Sequence, residues 1–286
     1  SDAIGGVVDI GASDAYLSPT QVQQTPGIKN IALAISAQMV NYNIPFLKAG
    51  THIKLSGMVL SQIYQGKITN WNDSAILNLN PGVVIPSTPI VVLHRSDGSG
   101  DTFLFTSYLS DADPNGWGNS IGYGTSVAFP SLSNALAANG NGGMLTTCQK
   151  TPGCIAYIGV SYESQAQAAG LGEAMLQNAA GNFESPTSAS IQAEAAALEK
   201  KTPPDETLSM IYDSASNGYP IINYEYAIIP PKESDAATAQ AVRALLYWAV
   251  DPKGGNADQY LAPVNFQPLP ASIAALSDAQ IAQITG

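Results

Sequence analysis

The densest set of reactive side chains lies at residues 95–102, Arg-Ser-Asp-Gly-Ser-Gly-Asp-Thr. Arg95 offers a planar fork of N–H donors suited to a tetrahedral oxyanion. Ser99 and Thr102 add hydroxyl donors, and Gly98 and Gly100 let the backbone approach a ligand closely. Asp97, two residues on, is placed to hold the Arg95 guanidinium. If a strand ends at Arg95 and a helix begins near Ser99, unpaired N–H groups and the positive end of the helix dipole face the same point. Two readings fit: an oxyanion site, or a capped turn with a structural Arg–Asp pair. A second strand-end segment, Gly11-Ala12-Ser13-Asp14, offers a carboxylate that either caps a helix or faces a ligand cleft. The two segments combine in an informative way. A carboxylate inside an anion site is repulsive unless the anion has a proton to donate. Phosphate at neutral pH carries one or two protons and sulfate none, so Asp14 in that position would reject sulfate.

The elements that must position these residues alternate between strands and helices. Apolar runs predict strands at Val7–Ile10, Ile28–Val40, Ile90–Leu93, Ala156–Val160 and Ile221–Ile229. Helical spacing predicts helices at Ser56–Tyr64, Asp73–Leu79, Thr102–Leu109, Ser188–Lys200, Thr238–Val250 and within Ala271–Ile284, with Ser18-Pro19 opening a further one. Asn139–Gly143 and Gly181–Thr187 read as loops. This alternation predicts an α/β chain with mostly parallel sheets.

Composition sets the outer limits. The chain has 286 residues, with 11 Lys and Arg against 22 Asp and Glu, a formal net charge of -11. That balance argues against a nucleic-acid or anionic-membrane partner, each of which needs clustered cations. It does not argue against a small anion held by one arginine, hydroxyls and backbone N–H groups. No run of 18 apolar residues is present, and Ser1–Gly6 does not read as a signal peptide. Cys148 and Cys154 have neither redox-pair nor zinc spacing; Pro152-Gly153 could turn the chain so that they form a small-loop disulfide, the alternative being two buried thiols. A disulfide would place the chain in an oxidising compartment. No Gly-x-Ser-x-Gly elbow, phosphate-binding Gly-Lys loop or metal-ligand pattern is present. His94 reads as a packed or surface residue, and Trp71, Trp117 and Trp248 as packing.

The motifs together resemble the phosphate-binding receptors of bacterial phosphate ABC transporters. The resemblance rests on Arg95-Ser-Asp-Gly-Ser-Gly-Asp-Thr-Phe103, Ile10-Gly-Ala-Ser-Asp-Ala-Tyr-Leu-Ser18, Ile63-Tyr-Gln-Gly-Lys-Ile-Thr-Asn-Trp71, Pro152-Gly-Cys-Ile-Ala-Tyr-Ile158, Tyr219-Pro-Ile221 and Phe266-Gln-Pro-Leu-Pro270. They cover nearly the whole chain in the family's order. The Asp101 and Cys148/Cys154 positions look most like the actinobacterial, lipid-anchored branch.

The resemblance implies a two-lobed periplasmic-binding-protein-like (type II) fold, each lobe a mostly parallel sheet flanked by helices. Lobe 1 would comprise residues 1–38 and 224–286 and lobe 2 residues 39–223, with hinge crossings near Ser36–Tyr42 and Ile221–Tyr226. It implies that inorganic phosphate is the ligand, with no metal, cofactor or catalytic residue. Asp14 would accept from protonated phosphate, Arg95 would donate, and Ser99, Gly100 and Asp101 would line the anion, supported by Ser13, Asp97 and Thr102. Asp101 stands where many relatives carry Thr or Ser, and would be a second acceptor or a helix N-terminal carboxylate. The partner would be an ABC-transporter permease, and the location extracytoplasmic, for a monomer with a possible lipid anchor upstream of Ser1. The family's chain starts one βα unit earlier, so two anion-contacting loops have no counterpart here, which implies weaker binding by these 286 residues than by a longer form. Two other functions compete: an interaction protein that has kept the fold and lost the ligand, and a phosphate-ester hydrolase with Asp14 or Ser99 as nucleophile.

Overall fold

The structure, a computed structural model, describes residues 2–48, 50–213 and 215–286. The chain runs through β1 (Gly11–Ser13), α1 (Pro19–Gln24), β2 (Lys29–Tyr42), β3 (Lys54–Leu55), α2 (Gly57–Tyr64), α3 (Ser74–Leu79), β4 (Val91–Arg95), α4 (Gly100–Ala112), β5 (Ala135–Ala138) and α5 (Gly140–Lys150). It continues through β6 (Cys154–Gly159), α6 (Glu163–Ala168), β7 (Gly172–Glu173), β8 (Met175–Gln177), β9 (Phe183–Glu184), α7 (Ser188–Leu198), β10 (Ile222–Ile229), α8 (Ala236–Val250), α9 (Asp258–Leu261) and α10 (Ala271–Ile281).

One seven-stranded sheet runs β1-β10-β2-β6-β4-β5, with β7 also paired to β2, and a small sheet joins β3, β8 and β9. The long strand β2 is the axis. Its first part, Lys29–Ala37, pairs antiparallel with β10, and its second part, Gln38–Tyr42, pairs antiparallel with β6. Parallel pairing is found at β4/β5, β4/β6 and β3/β8. Elsewhere the described ladders are antiparallel, so the sheets are mixed rather than mostly parallel, β2 pairing antiparallel with each of its partners β10, β6 and β7.

Helices α8 and α10 pack on β2, and α5 packs on β4 and β6. Ile31, Ile35, Ile229, Leu246, Ile273 and Ile281 are buried between the first set, and Leu93, Phe105, Leu109, Met144, Tyr157 and Ile158 in the other half. Each such side chain contributes about 1.5–3 kcal/mol by leaving water. Trp71 and Trp117 are core residues, whereas Trp248 is 48% exposed. Among the described residues no helix is long and apolar enough to cross a membrane.

Three local expectations need correction. Val7–Ile10 forms no strand: Val7 is 76% exposed and the first strand is Gly11–Ser13. The ladder partners Gly11 with Ile228, so continuing it would carry Asp9 and Val8 to Pro230 and Pro231, which have no N–H to donate. Asn139–Gly143 is the cap and first turn of α5 rather than a loop. Packing of that helix on β4 and β6 outweighs the poor intrinsic propensity of its glycines. Gly181–Thr187 includes the short strand β9, paired with β8.

The Cys148–Cys154 disulfide is formed, joining the last turn of α5 to the start of β6, with Cα atoms 5.3 Å apart. Gly153 makes the intervening turn at φ +84°, and a Cβ there would lie 2.0 Å from the Pro89 carbonyl oxygen, so glycine is required. Replacing both cysteines with serine should lower stability by about 2 kcal/mol, the loop-closure entropy of so short a ring. Urea unfolding of the double variant measures it; an unchanged midpoint would remove the bridge from the stability account.

Candidate functional site

The site begins where β4 ends. Arg95 is its last residue, and its backbone N–H donates to the Tyr157 hydroxyl at 2.9 Å. The same hydroxyl meets Thr102 Oγ1 at 2.9 Å, which locks the first turn of α4 against β6. Ser99 is the N-cap of α4 and its Oγ accepts from the Asp101 N–H at 3.1 Å. Strand end, glycine turn and helix start are therefore joined as the residue types predict.

Asp101 is the hub. Its carboxylate accepts from Arg95 Nη1 at 2.7 Å, Asn141 Nδ2 at 2.9 Å and Gln38 Nε2 at 3.0 Å. Asn141 in turn accepts from the Gly159 N–H at 3.2 Å. The rest of the Arg95 fork goes to Asp97, Nε to Oδ1 at 2.8 Å and Nη2 to Oδ2 at 2.5 Å. Asp97 also accepts from the Gly140 N–H at 3.1 Å, so the start of α5 helps hold it. The hydrogen bonds from Arg95 keep the Asp97 carboxyl well below the usual carboxylate range. Burial, helped by the nearby Asp14 charge, pushes Asp101 up to about 6, against the pull of Arg95, Asn141 and Gln38.

Asp14 arrives from the other side. Its carboxyl lies beside Asp101 and Glu225 at one cavity. Burial, then the Glu225 charge, raises it well above its ordinary value. A Cβ on Gly100 would lie 2.5 Å from Asp14 Oδ2, so only glycine at that position lets Asp14 reach the helix start. Next to this contact is a cavity of about 80 Å³, several times the ~10–15 Å³ that one water requires. Three carboxyl groups line it, Asp14, Asp101 and Glu225, together with the amides of Asn141 and Asn223 and the hydroxyls of Ser36 and Ser161. Such a lining repels a bare dianion and receives a ligand that brings its own O–H donors.

The sequence-predicted residues are thus brought to one place, but not all as lining. Asp14 and Asp101 face the cavity. Arg95 acts on Asp97 and Asp101, Ser99 on Asp101, and Gly100 gives Asp14 its room. Thr102 is buried against Tyr157, and Ser13 closes a local turn with Ala15, its Oγ donating to the Ala15 carbonyl at 2.7 Å. His94 stacks on Phe129 and His52 Nδ1 meets the Glu173 carbonyl at 3.0 Å, so neither ring belongs to the cavity lining.

A profile of the PBP superfamily domain matches residues 2–253. The phosphate-binding protein PstS of Xylella fastidiosa is 30% identical over 266 residues, covering 93% of this chain and 70% of that one. The phosphate-binding protein PstS of Haemophilus influenzae is 32% identical over 270 residues, covering 94% and 77%. The chain belongs to the PstS family. Among solved structures, a high-affinity periplasmic phosphate-binding protein bound with phosphate superposes with a TM-score of 0.72 at 23% identity, over 95% of this chain and 78% of that one. A phosphate-binding protein from Stenotrophomonas maltophilia gives 0.71 at 20% identity, over 97% and 83%. These two likenesses show a shared fold.

The PstS signature marks the helix-start half of the site; the other half went unread in the sequence. Glu225, Asn223, Ser36, Asn141 and Gln38 complete it. One signal was available: Asn223 and Glu225 alternate on one face of the otherwise apolar run Ile222-Asn-Tyr-Glu-Tyr-Ala-Ile-Ile229. A carboxylate inside a buried strand is costly unless partnered, which points to a task there.

Proposed function

We propose that the chain is an extracytoplasmic receptor that captures inorganic phosphate and delivers it to an ABC-transporter permease, binding without turnover and without a cofactor. The observation that carries this reading is Asp14 set against the first turn of α4, where Ser99, Gly100, Asp101 and Arg95 converge. An acceptor in that position suits an oxyanion that still carries a proton. PstS relatives supply the ligand class, and the disulfide fits an oxidising compartment. Asp14 is the acceptor, Arg95 the donor, and Ser99, Gly100 and Asp101 the helix-start lining, with Ser13, Asp97 and Thr102 in support.

Two lobes, residues 1–38 with 224–286 and residues 39–223, would close on the ligand about β2 and β10. Support comes from β2, which changes partner from β10 to β6 between Ala37 and Gln38. It comes also from the cavity, which draws Asp14, Ser36 and Glu225 from one proposed lobe and Asp101, Asn141 and Ser161 from the other. A hinge between lobes is a common closure device. Such a receptor works as a monomer at the mouth of its permease.

Titration calorimetry with phosphate and with sulfate tests the reading. Saturable heat with phosphate and none with sulfate is expected. Asp14→Asn should let sulfate compete, because the amide can donate where the carboxylate repels. No heat with phosphate would leave the fold without this ligand. Release of product from a chromogenic phosphate ester would overturn binding without turnover.

A further inference from the structure

The carboxyl groups of Asp14 and Glu225 line the same small cavity, and Asn223 Nδ2 reaches both residues, the Asp14 backbone carbonyl at 3.3 Å and Glu225 Oε1 at 3.4 Å. Two carboxylates crowded into one buried cavity repel each other, the Glu225 charge raising Asp14, and a single proton between them removes that repulsion. Glu225 sits on β10 at the register shift where β2 carries one extra residue, Leu33, between the partners of Glu225 and Tyr226. Ser36 from β2 lines the cavity beside Glu225, and Asn223 Nδ2 donates to its Oε1 at 3.4 Å. The other charged groups that face the pair are Asp101 from α4 and Arg95 from β4. One more observation points into the same space. Asn223 is 4% exposed, lines the cavity, and its Oδ1 has no hydrogen-bond partner. A buried acceptor without a donor costs about 1–3 kcal/mol, so a ligand O–H there would be well received.

We propose that Glu225 is a specificity-determining residue of the anion site, and that the Asp14–Glu225 pair meets phosphate as one donor and one acceptor by keeping a single proton between its two carboxyl groups. This rests on the phosphate reading above. On binding, the shared proton turns from the pair toward the anion and stays on the protein: one carboxyl donates its O–H to a phosphate oxygen, the other accepts from a phosphate O–H, and Asn223 Oδ1 accepts from a second phosphate O–H when one is present. Loss of the shared proton leaves two carboxylates facing the anion. Phosphate affinity therefore falls with rising pH for a reason separate from the titration of phosphate itself. Glu225→Gln fixes a permanent N–H donor at that position and removes this component.

The experiment compares phosphate affinity in the unaltered chain and in Glu225→Gln at several values between pH 6 and pH 9. Phosphate titrates identically in both, so its contribution cancels in the ratio. The unaltered chain should lose up to about tenfold more affinity per pH unit than the variant once the pair deprotonates, which is the linkage of one proton. Parallel profiles overturn the proposal while leaving phosphate capture intact; no phosphate binding by the unaltered chain at any pH overturns the functional reading. Infrared difference spectra need no variant. At pH 7, added phosphate should shift the C=O stretch of a protonated carboxylic acid, and a difference spectrum without such a band overturns the proposal.

Discussion

Replacing Arg95 with alanine is expected to abolish measurable phosphate binding and to lower stability by about 3–5 kcal/mol, the usual cost of breaking a buried ion pair from one side. The arginine side chain is only 9% exposed, and three of its N–H groups already serve Asp97 and Asp101. Its removal leaves Asp101 buried with only the amides of Asn141 and Gln38 and its own cap. The damage should depend on pH. Asp101 is already pushed up to about 6 by burial, and without Arg95 it rises further. A carboxyl whose folded pKa is raised contributes stability below its unfolded value and loses it as pH rises through the folded value. The variant should therefore melt closer to the unaltered chain at pH 5 than at pH 8. Arg95→Lys separates charge from geometry: a lysine restores one point charge, not a fork spanning two carboxylates. It should recover much of the stability and little of the binding. Thermal melts at the two pH values, with calorimetry at the upper one, read all of this. Normal melting of Arg95→Ala would mean that Asp97 and Asp101 do not depend on it.

The contrast between Arg95 and Glu225 explains which half of the site was legible in the sequence. Arg95, Asp97, Ser99, Gly100 and Asp101 lie within seven residues, and a strand end, a turn and a helix cap are local events with local signals. Asp14 could be joined to them because strand ends of a sheet gather ligand-binding groups. The second half depends on register. Asn223 comes opposite Ser36, and Glu225 opposite Ala34, only because β10 pairs with β2 at that offset. A slip of one residue would turn Asn223 and Glu225 to the other face, and nothing local sets the offset. The same distinction accounts for the errors. Val7–Ile10 is apolar enough for a strand, but its ladder would run into Pro230 and Pro231, distant in sequence. The glycines of Asn139–Gly143 suggest a loop until β4 and β6 offer α5 a surface.

Glu206→Ala is expected to cost about 3–5 kcal/mol, because it strips a fully buried network of the carboxyl that three of its donors share. Glu206 is 0% exposed. Its carboxylate accepts from the Ala32 N–H at 3.1 Å, Ser277 Oγ at 2.7 Å and Gln280 Nε2 at 2.7 Å, and its backbone carbonyl accepts from the Tyr226 hydroxyl at 2.8 Å. One residue thus ties β2, α10 and β10 together, at φ +57°, a left-handed backbone that ordinary side chains seldom adopt. Burial pushes its carboxyl up to about 7, opposed by these hydrogen bonds. The sign is the same as for Asp101: the stability it contributes is fully present below the unfolded value near 4.5 and is lost as pH rises through about 7. Glu206→Gln keeps the shape and cannot ionise. The advantage of the unaltered chain over this variant should shrink between pH 5 and pH 8 in urea unfolding, and a constant difference would show that Glu206 does not titrate in that range. The clamp also bears on function. Ala32, which Glu206 holds, is four residues along β2 from Ser36, which lines the cavity with Glu225. Glu206→Ala should therefore weaken phosphate binding as well as stability, whereas Glu206→Gln should leave binding near its original strength. Equal binding by both variants would mean that the strand transmits nothing from the clamp to the cavity.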